Sequence, residues 1–307
     1  MFAFNEYIIP SNFCRHYEPE TKANVIPIFG KKEWITEVRL PFNLKTKDFF
    51  NNYLESNPKH SLIFDGCTKE IKDLLEEYDF KSLLVGQEAI LNLKSDHFKK
   101  RSLKELVKRG LRNGQVKELE ISNHNISLFK EFKAQSSIAK LPKLKHLFCT
   151  TLEHFTRLFV FIDNDDRWLG LITISHKTLD IMQTELIIRR AKNPVGIMEA
   201  LIFEIFTTLK NEGKELWSLG AVPFVVKVPF SFSIQWLSNF IGRRLRFAYN
   251  YKGLFYFKNK FTPTWIDYYI CYRNKLSFLQ LFDLMRKTNL MSLVLKKIFL
   301  KIRFEHE

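Results

Sequence analysis

The sequence lacks every familiar catalytic signature. It holds no G-x-S-x-G nucleophile elbow, no H-E-x-x-H zinc helix, no Walker phosphate loop and no G-x-G-x-x-G dinucleotide turn. Cysteine is scarce and scattered. Cys14, Cys67, Cys149 and Cys271 show no paired spacing, which argues against a disulfide framework or a zinc site and for a reduced, cytosolic setting. The histidines do not group at ligand spacing. His146 and His154 flank Cys149 on a predicted helix, without the carboxylate company that a metal site needs. Neither a metal nor a cofactor is expected. Long apolar runs are also missing, and none approaches the ~18 residues that span a bilayer. The first residues, MFAFNEYIIP, carry Glu6 and no basic lead, so they do not read as a signal peptide. Acidic residues are outnumbered, 33 against 48 Lys and Arg, which leaves a formal charge of +15.

That surplus favours a polyanionic partner: RNA, DNA or an anionic membrane surface. A basic protein that is merely soluble is the plainer alternative. The length of 307 residues suits one large or two medium domains.

The clearest stretch runs from Leu179 to Gly220. Leu179–Ile188 reads as a strand carrying Glu185 near its end. A short basic loop, RRAKNP, follows. Gly196–Glu212 reads as a helix, with Met198, Leu201, Ile202, Ile205, Phe206 and Leu209 at the spacing of one buried face. Gly213 is the expected stop, and Glu215–Leu219 resumes as a strand. Two strands joined by a helix over this length make a βαβ unit with a parallel pair. Such a unit presents strand ends and a helix N-terminus at one edge, where ligands tend to sit.

Before this unit, Arg157–Ile162, Trp168–Ser175 and Leu179–Ile188 read as an antiparallel meander, turned at DNDDR. Meander, helix and strand in that order match a GNAT-type acyltransferase core. Further upstream, Trp34–Leu40, Ser61–Phe64 and Gly86–Leu93 read as strands. Lys47–Leu54 and Lys69–Tyr78 read as helices. Lys117–Ile121 reads as a short strand and Asn123–Asn125 as a turn. Ser127–Phe155 is expected to be mostly helical, broken at Pro142. Residues 1–30 hold three prolines and no clear period, and are expected to be loosely ordered. Arg101–Asn113 is expected to be a helix with Ser102 and Glu105 as a capping box. Its cations Lys104, Lys108, Arg109 and Arg112 lie away from the apolar stripe. They form either a solvated face or one that contacts the phosphates of RNA.

Near the C-terminus, YNYKGLFYFKNKF interleaves aromatics with Lys252, Lys258 and Lys260, a pattern that suits nucleotide stacking or a core element with lysines pointing out. Residues 222–248 are apolar, with a basic cluster at Arg243, Arg244 and Arg246. Ser277–Phe304 alternates apolar patches with Lys and Arg, and is either an interfacial helix pair or a helix packed on the core.

The segments GQEAILNL, SLKELVKRGLRNG, TELIIRRAKNPVGIMEALI, KELWSLGAVPF and YNYKGLFYFKNKFTPTWIDYYICY occur in an order that resembles the C-terminal domain of phosphatidylglycerol lysyltransferases, the multiple peptide resistance factor family. The resemblance spans roughly Trp34 to Tyr272. It implies an α/β (α+β) fold of two tandem GNAT-like domains, at 31–122 and 123–275, followed by a basic amphipathic helical tail at 276–307. It implies an aminoacyl-tRNA donor and, as acceptor, a lipid hydroxyl at an anionic phospholipid membrane. The protein is then cytoplasmic and peripheral to the inner face of the cell membrane. The family's usual Asp-Leu-Met-Arg appears here as Glu185-Leu186-Ile187-Ile188 followed by Arg189, and its Pro-Asn-Gly as Pro194-Val195-Gly196.

On this reading Glu185, Arg189, Ser218 and Lys258 are the catalytic candidates, while Arg190, Glu199, Asn250 and Lys260 bind substrate. Glu185 or Glu199 holds the amine of the donor, Ser218 hydrogen-bonds the reacting ester, and the arginines and lysines meet the tRNA 3′ phosphates or a developing oxyanion. Two other readings stay open: an acyl-CoA-dependent N-acyltransferase, and a degenerate, non-catalytic RNA- or lipid-binding protein.

Overall fold

A computed structural model describes residues 9–136, 139–225 and 250–305, with side chains as far as residue 298. The basic cluster Arg243, Arg244 and Arg246 and the stretch around it lie outside the described residues. In chain order the elements are β1 (Cys14–His16), β2 (Lys22–Ile28), β3 (Lys32–Pro41), α1 (Thr46–Ser56), β4 (Ser61–Cys67), α2 (Lys69–Glu76), β5 (Phe80–Asn92), α3 (Arg101–Leu111), β6 (Gly114–Leu119) and α4 (Asn123–Gln135). There follow β7 (Arg157–Asp163), β8 (Trp168–His176), β9 (Ile181–Arg189), α5 (Ile197–Asn211), β10 (Leu216–Pro223), α6 (Tyr251–Asn259), β11 (Thr264–Arg273), α7 (Phe278–Lys287) and α8 (Leu290–Glu305).

All these strands lie in one sheet, ordered β1-β3-β4-β11-β5-β10-β9-β8-β7-β6, with β2 on β3. The sheet curls until Arg15 of β1 pairs with His176 of β8. Strands from the two ends of the chain interleave at its centre: β5 runs antiparallel to both β10 and β11. Two parallel pairs begin in register and then part. One is β3/β4, paired from Lys32↔Ser61 to Ile35↔Phe64, and the other is β9/β10, paired from Leu216↔Ile181 to Ser218↔Gln183.

The expected βαβ unit is present. Met198, Leu201, Ile202, Ile205, Phe206 and Leu209 of α5 are all buried, in a core shared with Leu103 and Val107 of α3 and Trp217 of β10. Gly213 takes φ +75° and ends the helix, its N–H returning to Lys210 O at 3.1 Å. The DNDDR turn forms as expected, with Asp163 Oδ1 accepting from the N–H groups of Asp165 and Arg167.

Four expectations need correction. Residues 9–30 are ordered: Phe13 is fully buried, and Arg15 donates to Pro41 O and Thr46 Oγ1 at 2.8 Å each. The Ser102–Glu105 capping box does not form, because α3 starts two residues earlier than that box requires, with Lys100 as its N-cap. The turn expected at Asn123–Asn125 is the first turn of α4, capped by Ser122 Oγ accepting from Asn125 N–H. Finally, helix ends at Gln135 and, among the described residues, does not resume before β7. Leu141, Leu144, Leu147 and Phe148, whose spacing mimics a helix, instead line a cavity.

Candidate active site

The cavity, about 960 Å³, lies among β4, β5, β9, β10 and β11 and the C-terminal helices. Its wall is mainly apolar, built from Leu83 of β5, Leu186 of β9, Ile270 of β11, Leu284 of α7, Met291 of α8 and the 141–148 segment. The polar groups collect where β9 and β10 part. There the ladder between β10 and β5 shifts register between Ser218 and Ala221. Gly220 takes φ +89°, a conformation that other residues adopt only at a cost. The bulge turns two carbonyls outward, and Lys258 of α6 donates to both, Gly220 O at 2.8 Å and Ala221 O at 3.2 Å. A side chain at Gly220 would also crowd this ammonium, since its Cβ would sit 3.4 Å from Lys258 Nζ.

Lys258 is 3 % exposed, and burial lowers its amine to about 7, against the partly offsetting pull of Glu88. Glu88 of β5 is 1 % exposed. Its Oε1 accepts from Lys177 Nζ at 2.7 Å and from the Ser218 hydroxyl. Ser218 Oγ in turn accepts from Gly220 N–H at 2.9 Å. Burial alone would raise the Glu88 carboxyl. The charge and hydrogen bond of Lys177, with Ser218, outweigh it and hold the group below the ordinary carboxylate range. A carboxylate held ionised near an amine that titrates at about 7 is the pairing of environments that proton-transfer sites use.

Glu185 lines the same cavity with both oxygens engaged. Oε1 accepts from Ser175 Oγ at 2.5 Å and Gln183 Nε2 at 2.8 Å, and Oε2 accepts from Cys149 N–H at 2.7 Å. Burial nevertheless raises its carboxyl. Gln183 also reaches Phe13 O at 2.8 Å, which ties β9 to the N-terminal segment. Glu185→Gln puts an N–H where one of these donors now points. The expected loss is about 1–3 kcal/mol of stability, read by chemical unfolding, with increased protease sensitivity around Cys149. An unchanged midpoint contradicts this role.

The remaining candidates, Asn250 apart, fall elsewhere. Arg189 is exposed at the end of β9 and is not part of the cavity wall. Arg190 donates to Trp168 O at 2.6 Å and lies over the Phe132 ring. Glu199 pairs with Lys260 at 2.7 Å, outside the cavity. Asn250 caps α6 through Gly253 N–H, at the cavity rim. Lys104, Lys108, Arg109 and Arg112 share the exposed face of α3. The site thus brings Ser218, Lys258 and Glu185 together and adds Glu88, Lys177 and Gln183. The signal for Glu88 was available: it is the one acid within the strand GQEAILNL, whose alternate residues Ala89, Leu91 and Leu93 are fully buried on the other face.

The family described as phosphatidylglycerol lysyltransferase, C-terminal, matches residues 47–272. A phosphatidylglycerol lysyltransferase from Bacillus subtilis (strain 168) is 34 % identical over 91 residues, which cover 29 % of this chain and only 10 % of that protein. The structure of L-PGS from Bacillus licheniformis matches with a TM-score of 0.66 at 17 % identity, over 93 % of this chain and 86 % of that one. The C-terminal domain of a putative lysylphosphatidylglycerol synthetase from Agrobacterium fabrum gives 0.65 at 18 % identity, over 86 % and 88 %. At these identities the two structures show a shared fold.

Proposed function

The chain belongs to the phosphatidylglycerol lysyltransferase C-terminal family, and from that premise we propose that it transfers an amino acid from aminoacyl-tRNA to the hydroxyl of a membrane lipid. One observation carries the reading: a buried lysine amine, held on the Gly220 and Ala221 carbonyls and brought by burial to titrate at about 7, at the polar end of an apolar cavity about 960 Å³ in volume. The cavity accommodates an acyl chain, and the amine accepts the proton of an attacking hydroxyl. The hydroxyl oxygen bonds to the ester carbonyl as Lys258 Nζ takes its proton. The tetrahedral intermediate then expels the tRNA ribose oxygen, which recovers that proton. One ester replaces another, so the donor is already activated and positioning supplies much of the rate.

Within this reading, residues 31–122 and 123–275 are the two acyltransferase-like units, each contributing one parting parallel pair. Attachment to the inner face of the cell membrane falls to the tail. Leu279 and Phe282 of α7 are 61 % and 52 % exposed, with Arg286 and Lys287 on the same helix. No described helix is long and apolar enough to cross a membrane.

The exposed cations of α3 are the surface for tRNA. Filter binding should show affinity falling steeply from low to physiological salt, because neutralised phosphates release counterions. Lys104→Glu with Lys108→Glu should weaken all tRNAs alike, by roughly tenfold or more at low salt. A flat salt response counts against the donor, and an unchanged affinity of the double variant removes α3 from the interface.

A further inference from the structure

Glu88 offers a carboxylate oxygen that the described residues leave open. Oε1 is taken by Lys177 and Ser218. Oε2 has no hydrogen-bond partner among the described residues, although the side chain is 1 % exposed and forms part of the cavity wall. Buried polar atoms are nearly always paired. An open oxygen on an ionised group in a cavity wall therefore marks where a ligand brings a donor.

We propose that Glu88 Oε2 receives the α-ammonium of the aminoacyl donor, making Glu88 the residue that selects an amino acid ester with a free amine. The inference rests on the transfer reading of the same site. Its chemistry is local. In an aminoacyl ester the amine lies one carbon from the carbonyl, so its counter-charge must stand beside the groups that act on that carbonyl. Glu88 shares the Ser218 hydroxyl, and Ser218 binds the N–H of Gly220, whose carbonyl holds Lys258. The other acids are placed otherwise. Glu185 is filled by Ser175, Gln183 and the Cys149 N–H, and Glu199 is paired with Lys260 outside the cavity. Asp65 lines the cavity from β4, two strands from β5. Lys177 offsets Glu88 through one oxygen, and a bound ammonium completes the other with a charge-assisted hydrogen bond. A cation there also draws on the charge of Glu88 that otherwise favours protonated Lys258, and so helps to keep the amine free to act as a base.

The test uses stable donor fragments, 3′-alanylamido- and 3′-lysylamido-3′-deoxyadenosine, each with the α-amine free or acetylated, titrated by calorimetry. Wild type should bind the free-amine forms at least tenfold more tightly than the α-acetylated ones. Glu88→Gln should bind both alike while wild-type affinity for the acetylated forms is kept. A second variant, Glu88→Gln with Lys177→Met, removes both buried charges together; should the single variant not fold, this one takes its place and should bind the free and acetylated forms alike. Equal binding of free and acetylated forms by wild type overturns the proposal. So does a preference that survives in a folded Glu88 variant. In a parallel transfer assay with aminoacyl-tRNA and its Nα-acetylated form, lipid acylated equally fast from both leaves transfer standing and removes the ammonium site. A clear preference with no lipid product does the reverse.

Discussion

Replacing Lys258 by methionine should lower aminoacyl transfer by on the order of 10²–10⁴-fold, the range for a lost general base, with circular dichroism and elution volume unchanged. Methionine keeps a long unbranched buried side chain and removes only the amine that meets Gly220 O and Ala221 O. Lys258→Arg should fail as badly, because a guanidinium does not give up its proton near neutrality. The pH dependence has a definite sign. Burial lowers the amine from its ordinary 10.5 to about 7, so the base form gains below neutrality and is complete above it. Transfer by wild type should rise with pH through about 7 and then level off. The same shift acts on stability. Between pH 7 and 10.5 the unfolded chain binds the extra proton, so this residue makes the fold more stable as pH rises across that window, and its destabilising effect is fully present below 7. Lys258→Met should remove that slope. A variant that retains wild-type turnover, or a wild-type rate that falls as pH rises through 7, contradicts the role of the amine.

Gly196→Ala should be among the most damaging single methyl additions, costing on the order of 3–5 kcal/mol. Gly196 is the N-cap of α5 with φ +98°, and an added Cβ would lie 2.1 Å from Leu106 O and 2.8 Å from Gly110 N. Gly110 is tight in turn, its Cβ position falling 2.3 Å from Gly196 O. Here α3 and α5 meet backbone to backbone, so no flexible side chain can yield. Gly213→Ala is the control. It has a similar φ of +75° but nothing within 4 Å, and should cost only about 1–2 kcal/mol, the penalty of the left-handed conformation alone. Urea unfolding of both variants measures the difference. Equal losses would mean that the helix contact is looser than described.

The same contact shows what the sequence could and could not convey. Periodicity located α5 and its stop because the apolar stripe faces one large core, and the burial of that core sets its spacing. The loop before it, RRAKNPVG, gave no sign that α3 would press on Gly196. Residues 9–30 looked formless because their order comes from distant partners: Arg15 fills carbonyls of the β3–α1 turn, and Phe13 packs on Phe49 and Phe50. The segment after α4 misled for the opposite reason, since its leucines keep a helical spacing while serving as a cavity lining. In the site, Ser218, Glu185 and Lys258 were legible as polar residues next to a strand end or among aromatics. Their chemical roles were not, because those depend on Glu88 and Lys177, which β5 and the β8–β9 turn bring together only when the sheet forms.

Mass spectrometry of the lipids from one reaction is the most direct test of transfer at the β9/β10 notch. The protein is incubated with total charged tRNA and a membrane lipid extract, in parallel with the Lys258→Met variant and with deacylated tRNA. The expected result is a new lipid heavier by one aminoacyl residue, formed by wild type with charged tRNA and absent from both controls. A lipid profile that stays the same with charged tRNA, or a new aminolipid formed equally well by Lys258→Met, contradicts it.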